Sequence, residues 1–326
     1  MLLCGIDENG LGPRLGPLVV TSVEAHTTDE AAVRLANSRP RGKLRERLGD
    51  SKQLVSYGDS SLGEAWARAL IGDCSAHSSP TELLAALLAD TPESLRSFCP
   101  QDHVGQCWDG STETFRAEEA LVGEIRSDLD RLAARGLRIE RARVALVCTK
   151  VINDRAARGL TRFEVDLHAM EKLILAIRSD AGEDVAAVCG KVGGYDHYSE
   201  SFGPLSGRLH AVVEEGRARS TYHFPGIGAV HFVRDADASN MLVSLASLVG
   251  KWARDLVMSR IVRYHRAEDP TLPDASGYHD PISTRFIDST RLTRKKRGVP
   301  DECFERNRVS EGPRSDRAAS RASRPS

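Results

Sequence analysis

The stretch Cys4–Pro13 reads CGIDENGLGP. An apolar opening, MLLCGI over Met1–Ile6, runs into two adjacent acids, Asp7 and Glu8, and then into a glycine turn closed by a proline. The segment Leu15–Ala25, LGPLVVTSVEA, is again apolar and β-branched. Two such runs joined by Asn-Gly and a second glycine predict an antiparallel hairpin at the start of the chain. Neighbouring strand residues point to opposite faces, so Asp7 and Glu8 can serve one site only where the strand ends or twists. Acids at the end of a buried strand are costly unless they are paired or metal-bound, and two close carboxylates favour a hard divalent cation such as magnesium.

The glycines fit neither standard phosphate-binding loop. No Gly-x4-Gly-Lys-Ser/Thr run is present, and the third glycine of a G-x-G-x-x-G fingerprint is Leu15 here, with Gly16 one place late. What remains is a plain hairpin turn, or a turn whose bare backbone approaches an oligonucleotide closely.

A second polar feature lies on a long apolar helix expected over about 238–263. Ser244, Ser247, Lys251 and Asp255 recur at i, i+3, i+7 and i+11, within one narrow stripe of its surface. The stripe faces either water or a cleft. Between the hairpin and this helix, helical spacing covers residues 60–73, 81–90, 114–135 and 161–179, and strands are expected at Ala142–Val151, in DVAAVCGK (184–191) and in YHFPGIGAVHFVR (222–234). Strands followed by strands alternating with helices predict an α/β layer fold.

The chain has 326 residues and a net charge of −1, so overall charge names no partner. No apolar run reaches the roughly 18–20 residues of a membrane helix, and no basic-then-apolar leader opens the sequence. Seven scattered cysteines predict reduced thiols and a cytoplasmic setting. Cys99, His103 and Cys107 have even spacing that either marks a polar loop or offers part of a zinc site. Residues 291–326 hold eleven Lys/Arg and five Asp/Glu and end in a Ser/Arg/Ala/Pro segment, so they are expected to form a disordered basic tail. Its cluster Arg291–Arg297, RLTRKKR, could meet phosphates or form a solvated face.

The ordered set of motifs resembles the type 2 ribonuclease H family, ribonuclease HII. These motifs are DENGLGP at 7–13, DSKQL at 50–54, LHAMEKLI at 167–174, ADAS followed by LASLVGKWARD up to Asp255, and SGYHDPIST at 276–284. The resemblance spans residues 1–290, with 75–140 as a helical insertion. It implies a ribonuclease H-like mixed sheet flanked by helices. It further implies a two-metal hydrolysis of RNA in RNA/DNA hybrids, or at ribonucleotides in DNA, with Mg²⁺ or Mn²⁺. By the same resemblance Asp7, Glu8 and Asp255 are the catalytic metal ligands. Gly10, Leu11 and Gly12 form the backbone surface for the RNA strand, Tyr278 packs on the sugar, and Lys52 and Lys251 meet phosphates.

The sequence departs from the family at two places. The family has four acids, and the strand DVAAVCGK ends in Cys189–Gly190 where a carboxylate belongs; Asp184 is at the wrong end of that strand and Asp196 lies beyond a glycine turn. The arginine between the family's two glycines is Leu11. The following segment, GKVGGYDHY (190–198), is either a clamp over a cleft or a mobile surface turn. Three functions therefore stand open: a divergent nuclease with a weakened site, a nucleic-acid-binding protein that does not cleave, and an unrelated metal-dependent phosphodiesterase that uses the same acids on a different substrate.

Overall fold

The computed structural model describes residues 1–71, 77–99, 105–192 and 195–307. Seven strands form one mixed sheet: β1 (Leu2–Asn9), β2 (Leu18–Thr27), β3 (Leu137–Val147), β4 (Val185–Gly190), β5 (Ala211–Glu215), β6 (Arg219–Phe224) and β7 (Gly228–Val233). Their spatial order is β3-β2-β1-β4-β7-β6-β5. The expected hairpin is β1–β2, paired antiparallel from Leu2↔His26 to Asn9↔Val19. β1, β4 and β7 run parallel in the centre, with Ile6 opposite Cys189 and Cys189 opposite Phe232.

The helices are α1 (Glu30–Ala36), α2 (Ser51–Leu54), α3 (Ser61–Leu70), α4 (Pro80–Leu87), α5 (Pro92–Arg96), α6 (Gly105–Trp108), α7 (Glu119–Ala133), α8 (Thr149–Ala157), α9 (Arg162–Ala181), α10 (Met241–Arg266), α11 (Pro281–Ser289), α12 (Arg291–Arg297) and α13 (Asp301–Phe304). The described residues of 75–140 carry α4 to α7 and end in the first residues of β3. β3 begins five residues earlier than the sequence suggested, and the stretch read as one strand over 222–234 is a hairpin, β6–β7. Among the described residues no helix is long and apolar enough to cross a membrane.

The sheet has a helical layer on each face. Leu3, Val19 and Val23 pack with α3, α7 and α10 on one side. Leu2, Cys4, Ile6, Ala187 and Cys189 pack with α9 on the other. The two-residue alternation of β1 is thus read out directly, with odd positions facing α10 and even positions facing α9. Helix α10 lies directly on β1. A Cβ at Gly5 would stand 2.4 Å from the backbone carbon of Leu242 and from the nitrogen of Val243, so only glycine admits the helix there. Helix α9 starts with a complete capping box between Thr161 and Glu164. It also carries a buried carboxylate, Glu171, which accepts the N–H groups of Gly203 (3.1 Å) and Leu205 (2.7 Å) and so fixes the loop after β4.

The expected disordered tail 291–326 is corrected in its first half. Residues 291–307 are folded, and 308–326 lie outside the described residues. Arg294 is buried, donating to the Ile287 carbonyl (2.9 Å) and stacking over Phe304 at 4.0 Å. Arg297 stacks over Tyr264 at 4.0 Å. Part of the basic cluster therefore binds aromatic faces and carbonyls of its own chain, which a charge count does not reveal. His103 lies outside the described residues; Cys99 and Cys107 line a small apolar cavity together with Cys148 and Cys303, all free thiols.

Two measurements check this packing. Gly5→Ala forces a methyl group into the α10 backbone and should lower unfolding stability by about 3 kcal/mol or more, measured by denaturant titration. Burial raises the Glu171 carboxyl from 4.5 to about 7. The folded protein then binds a proton that the unfolded chain releases, so stability falls as pH rises from about 4.5 to 7. Glu171→Gln should flatten that fall by at most about 3 kcal/mol, and a pH series of denaturant midpoints that is identical in the two proteins would contradict the assignment.

Candidate active site

The site lies at the carboxyl ends of the parallel strands, the usual position for ligands in open α/β sheets. Asp7, third from the end of β1, faces α10 and accepts a hydrogen bond from Ser247. The Ser247 hydroxyl is also 2.8 Å from that of Ser51, in the DSKQL segment that forms α2. The polar stripe of α10 therefore faces a cleft rather than water: Ser244 and Ser247 are buried, and Ser244 donates to the Asp237 carbonyl.

Glu8 points to the opposite face of the strand but sits at its end, where both faces open onto the same mouth. Burial, opposed by Lys52 and reinforced by Asp237, pushes its carboxyl up to about 7. Burial and repulsion from Glu8 and Asp237 raise Asp7 well above the carboxylate range. Asp237, in a tight turn over Ala236–Ala238 just past β7, is itself raised, first by burial and then by Asp50. A further acid comes from α9: Asp166 is fully buried, and neither of its oxygens has a hydrogen-bond partner. Burial, then Glu8 and Asp7, raise it well above its ordinary value.

Asp255 does not join this group. It is eight residues beyond Ser247 on α10, about 12 Å along the axis at 1.5 Å per residue. The groups acting on it are Arg254, Lys251, the Gly58 N–H and Arg116, while burial lifts it to about 6. It lines a separate cavity of about 220 Å³ with Tyr57, Glu64, Arg116, Arg263 and Asp274. The further acid that acts on Asp7 and Glu8 is Asp237, ten residues ahead of Ser247 and past the end of a strand.

The two lysines differ. Lys52 is exposed at the rim and acts on Glu8 and Asp237. Lys251 is half-buried, and burial lowers its pKa, against Asp50, Asp255 and Asp7. Neither sequence candidate for the missing strand-end acid reaches the cluster. Asp184 is 3.6 Å from Arg178 at the start of β4, and Asp196 pairs with Lys191 at 2.6 Å. Cys189 is a buried thiol on the α9 face, pushed up by burial and by Asp166 and Asp7. Gly190 faces Asp7 so closely that a Cβ would be 2.8 Å from Asp7 Oδ1.

The glycine turn rests on three arginines. Gly10 has φ +91°, and a Cβ there would strike the Arg254 side chain at 2.5 Å. Arg306, buried, donates to the carbonyls of Gly10 (2.6 Å), Leu11 (3.2 Å) and Gly16 (2.8 Å). Arg162 donates to the Gly12 carbonyl at 3.2 Å. With its carbonyls turned inward, the turn presents Gly12, exposed and with open space above its Cα. Leu11 packs against the α9-side core instead of projecting outward. Arg254 stacks over the ring of Tyr278 at 4.7 Å, and Tyr278 is 46% exposed. The Gly277 carbonyl accepts the N–H groups of Arg14 (2.8 Å) and Leu15 (3.1 Å), so the SGYHDP segment is fastened to the turn. The structure thus brings Gly10–Gly12 and Tyr278 together. In the 190–198 segment, Tyr195 stacks on Phe163 at 3.9 Å, and residues 193 and 194 lie outside the described residues.

The donors of the cluster are hard carboxylate oxygens that repel one another, the chemistry that suits a divalent cation of the magnesium or manganese kind. Among the described residues no three His, Cys, Asp or Glu side chains stand close enough together to hold an ion as they are placed.

No family model matches the sequence, and no curated protein matches it. Among solved structures, the chain is similar to ribonuclease HII in its complex with PCNA from Archaeoglobus fulgidus, at 17% identity over 94% of this chain and 95% of that one, with a TM-score of 0.44. It is similar to ribonuclease H2 from Pyrococcus horikoshii OT3, at 17% identity over 93% and 92%, with a TM-score of 0.39. It is similar to ribonuclease H3 from Aquifex aeolicus, at 14% identity over 93% and 70%, with a TM-score of 0.41. Likenesses of this size assign no activity and no residue role to this chain.

The arginine support makes its own prediction. Arg306→Ala leaves buried carbonyls of Gly10, Leu11 and Gly16 without a donor. It should cost about 3 kcal/mol or more in denaturant unfolding and raise hydrogen exchange across residues 9–17. An unchanged exchange pattern would mean that the turn holds itself.

Proposed function

We propose that the protein is a divalent-metal-dependent endonuclease of ribonuclease H type, hydrolysing RNA in RNA/DNA hybrids or at ribonucleotides in DNA. One observation carries the reading: Asp7, Glu8 and Asp237 gather at the mouth of the parallel strands, beside a turn with Gly12 open to the outside and an exposed Tyr278. Asp7, Glu8 and Asp237 would hold the ions, and drawing them together around a cation relieves the repulsion that now raises them. When bound, Mg²⁺ or Mn²⁺ there would lower the pKa of the attacking water and stabilise the leaving oxygen.

The chain's own groups have separable tasks. Ser247 orients the Asp7 carboxylate, and Ser51 braces Ser247. Gly12 lets a ribose come up to the backbone, where a 2′-hydroxyl separates RNA from DNA. Tyr278 offers a flat face for a sugar or base, held by Arg254. Lys52, exposed at the rim, meets a phosphate. The second reading, binding without cleavage, is favoured by the thiol of Cys189 at a strand-end position and by the inward packing of Leu11.

The test is cleavage of a duplex carrying a single ribonucleotide, with Mg²⁺ and with Mn²⁺. Cutting should be lost by 100-fold or more in Asp7→Asn and in Asp237→Asn. Asp255→Asn should retain most of the rate, and Tyr278→Ala should weaken substrate binding more than turnover. Tight duplex binding with no cutting in either metal would establish the second reading instead.

A further inference from the structure

We propose that the cavity between α8, α9 and the insertion helices binds a small amphipathic carboxylate, with its head group on Arg155 and its apolar tail running inward toward Cys148. The cavity holds about 360 Å³, within the range of small-molecule sites. It lies beside the edge strand β3 and shares no lining residue with the acid cluster or the glycine turn.

The wall is amphipathic in an ordered way. Cys148, Val151 and Arg155 recur at i, i+3 and i+7 along the start of α8, on one face. That face runs from a thiol to a guanidinium over about 10 Å at 1.5 Å per residue. Helix α9 lays Leu173 and Ala176 beside it, with the exposed Lys172. The insertion closes the other side with the rings of Phe98 and Trp108. Both rings and Cys148 also line the small apolar cavity of the four thiols, so the apolar wall continues inward.

Arg155 singles out an anion. It is only partly exposed, and among the described residues its guanidinium makes no hydrogen bond and no ion pair. What acts on it is its own burial and Arg158, and both oppose its charge. Other part-buried arginines of the protein are met by acids: Arg47 by Asp128 at 2.7 Å, Arg143 by Glu24 at 2.6 Å and Arg260 by Glu113 at 2.7 Å. Asp90, the one acid among the described lining residues, is exposed and pairs with neither Arg155 nor Lys172. A guanidinium presents a planar fork of donors that a carboxylate takes with two bonds. A bare anion would leave the apolar wall wet, and a neutral hydrocarbon would leave Arg155 unmet; a ligand with both parts answers both. The exposed Asp90 opposes an anionic bilayer, so the occupant is a single dissolved molecule.

The experiment is calorimetry of octanoate with the full chain, beside acetate and octanol, which carry the head and the tail alone. Octanoate should bind one to one, about 10-fold or more tighter than either. Arg155→Met keeps a long apolar side chain without the charge. It should weaken octanoate by about 10-fold or more and leave octanol within about twofold. Arg155→Lys should recover part of the loss. Ala176→Trp, which fills the cavity, should abolish both, with melting temperatures showing that each variant is folded. Octanoate should also slow alkylation of Cys148 by iodoacetamide, read by mass spectrometry, in wild type and not in Ala176→Trp. If wild type takes up no octanoate at millimolar concentration, or if Arg155→Met binds it as wild type does, the inference fails. Retention on phosphatidylglycerol vesicles that octanoate does not compete would make the surface a membrane contact. A dimer that Ala176→Trp dissociates and octanoate leaves intact would make the occupant a second copy of the chain. Either result overturns the proposal.

Discussion

The contact of α10 with β1 sets the rest of the structure. Because Gly5 has no side chain, the first turn of α10 rests on the strand itself, with Leu242 and Val243 against the Gly5 backbone. Farther along the same helix, Ser247 then meets Asp7 and, through Ser51, ties in α2 with Lys52 at its rim. The approach also fixes which face of β1 belongs to which layer. Odd residues face α10 and even residues face α9, so the adjacent acids Asp7 and Glu8 must point apart. Their convergence is possible only past Ile6↔Cys189, the last pair of β1 with β4, where the layers open on that side. The location of the site is thus a consequence of strand alternation and strand length together.

The glycine turn shows a second constraint. Its open outer side requires that its carbonyls be consumed on the inner side, and the guanidiniums of Arg306 and Arg162 do this while Arg254 packs under Gly10. Burying them is expensive, and burial together with Arg254 and Arg162 depresses the charged form of Arg306. Arginine holds its charge where lysine would lose it, because its intrinsic pKa leaves a wide margin. Arg306 comes from the far end of the described chain and Arg254 from α10. The turn at residues 10–12 is therefore shaped by residues distant from it in sequence, and one of those, Arg254, also carries Tyr278.

How much of this was legible in the sequence depends on whether the signal was local. The β1–β2 hairpin, α9 and α10 have strong periodicity and clear caps, and each stands close to its expected span. The hairpin β6–β7 reads as one strand because its turn, around Pro225 and Gly226, is short and the polar arm RSTYHF gives no alternation of its own. β5 was missed because its residues are largely exposed, so no alternation marks it. The folded segment 291–307 was hidden because its arginines are buried by aromatic faces and carbonyls, and composition records only their charge. The motif around Asp255 points to a ligand there, whereas the acid that acts on Asp7 and Glu8 is Asp237, in the turn after β7. Asp166 did leave a signal. It lies on the apolar stripe of α9, between Phe163 and Met170, where an acid has no reason to be unless something inside the protein receives it.

That position shows what it costs to seal a carboxylate between two layers. What a divalent cation requires is a set of hard oxygens around one point, and the covalent origin of each oxygen is immaterial. A strand-end carboxylate reaches such a point along the sheet; a helix carboxylate reaches it across the gap between layers. The second route carries a specific cost. The strand-end acid borders the open mouth, where water can solvate it, while an acid on the inner face of α9 is sealed from water when the site is empty. Moving the carboxylate from strand to helix therefore makes the empty protein less stable and couples its packing more tightly to the ion. A buried, partnerless Asp166 near the thiol of Cys189 bears that cost, with only Glu8 and Asp7 acting on it.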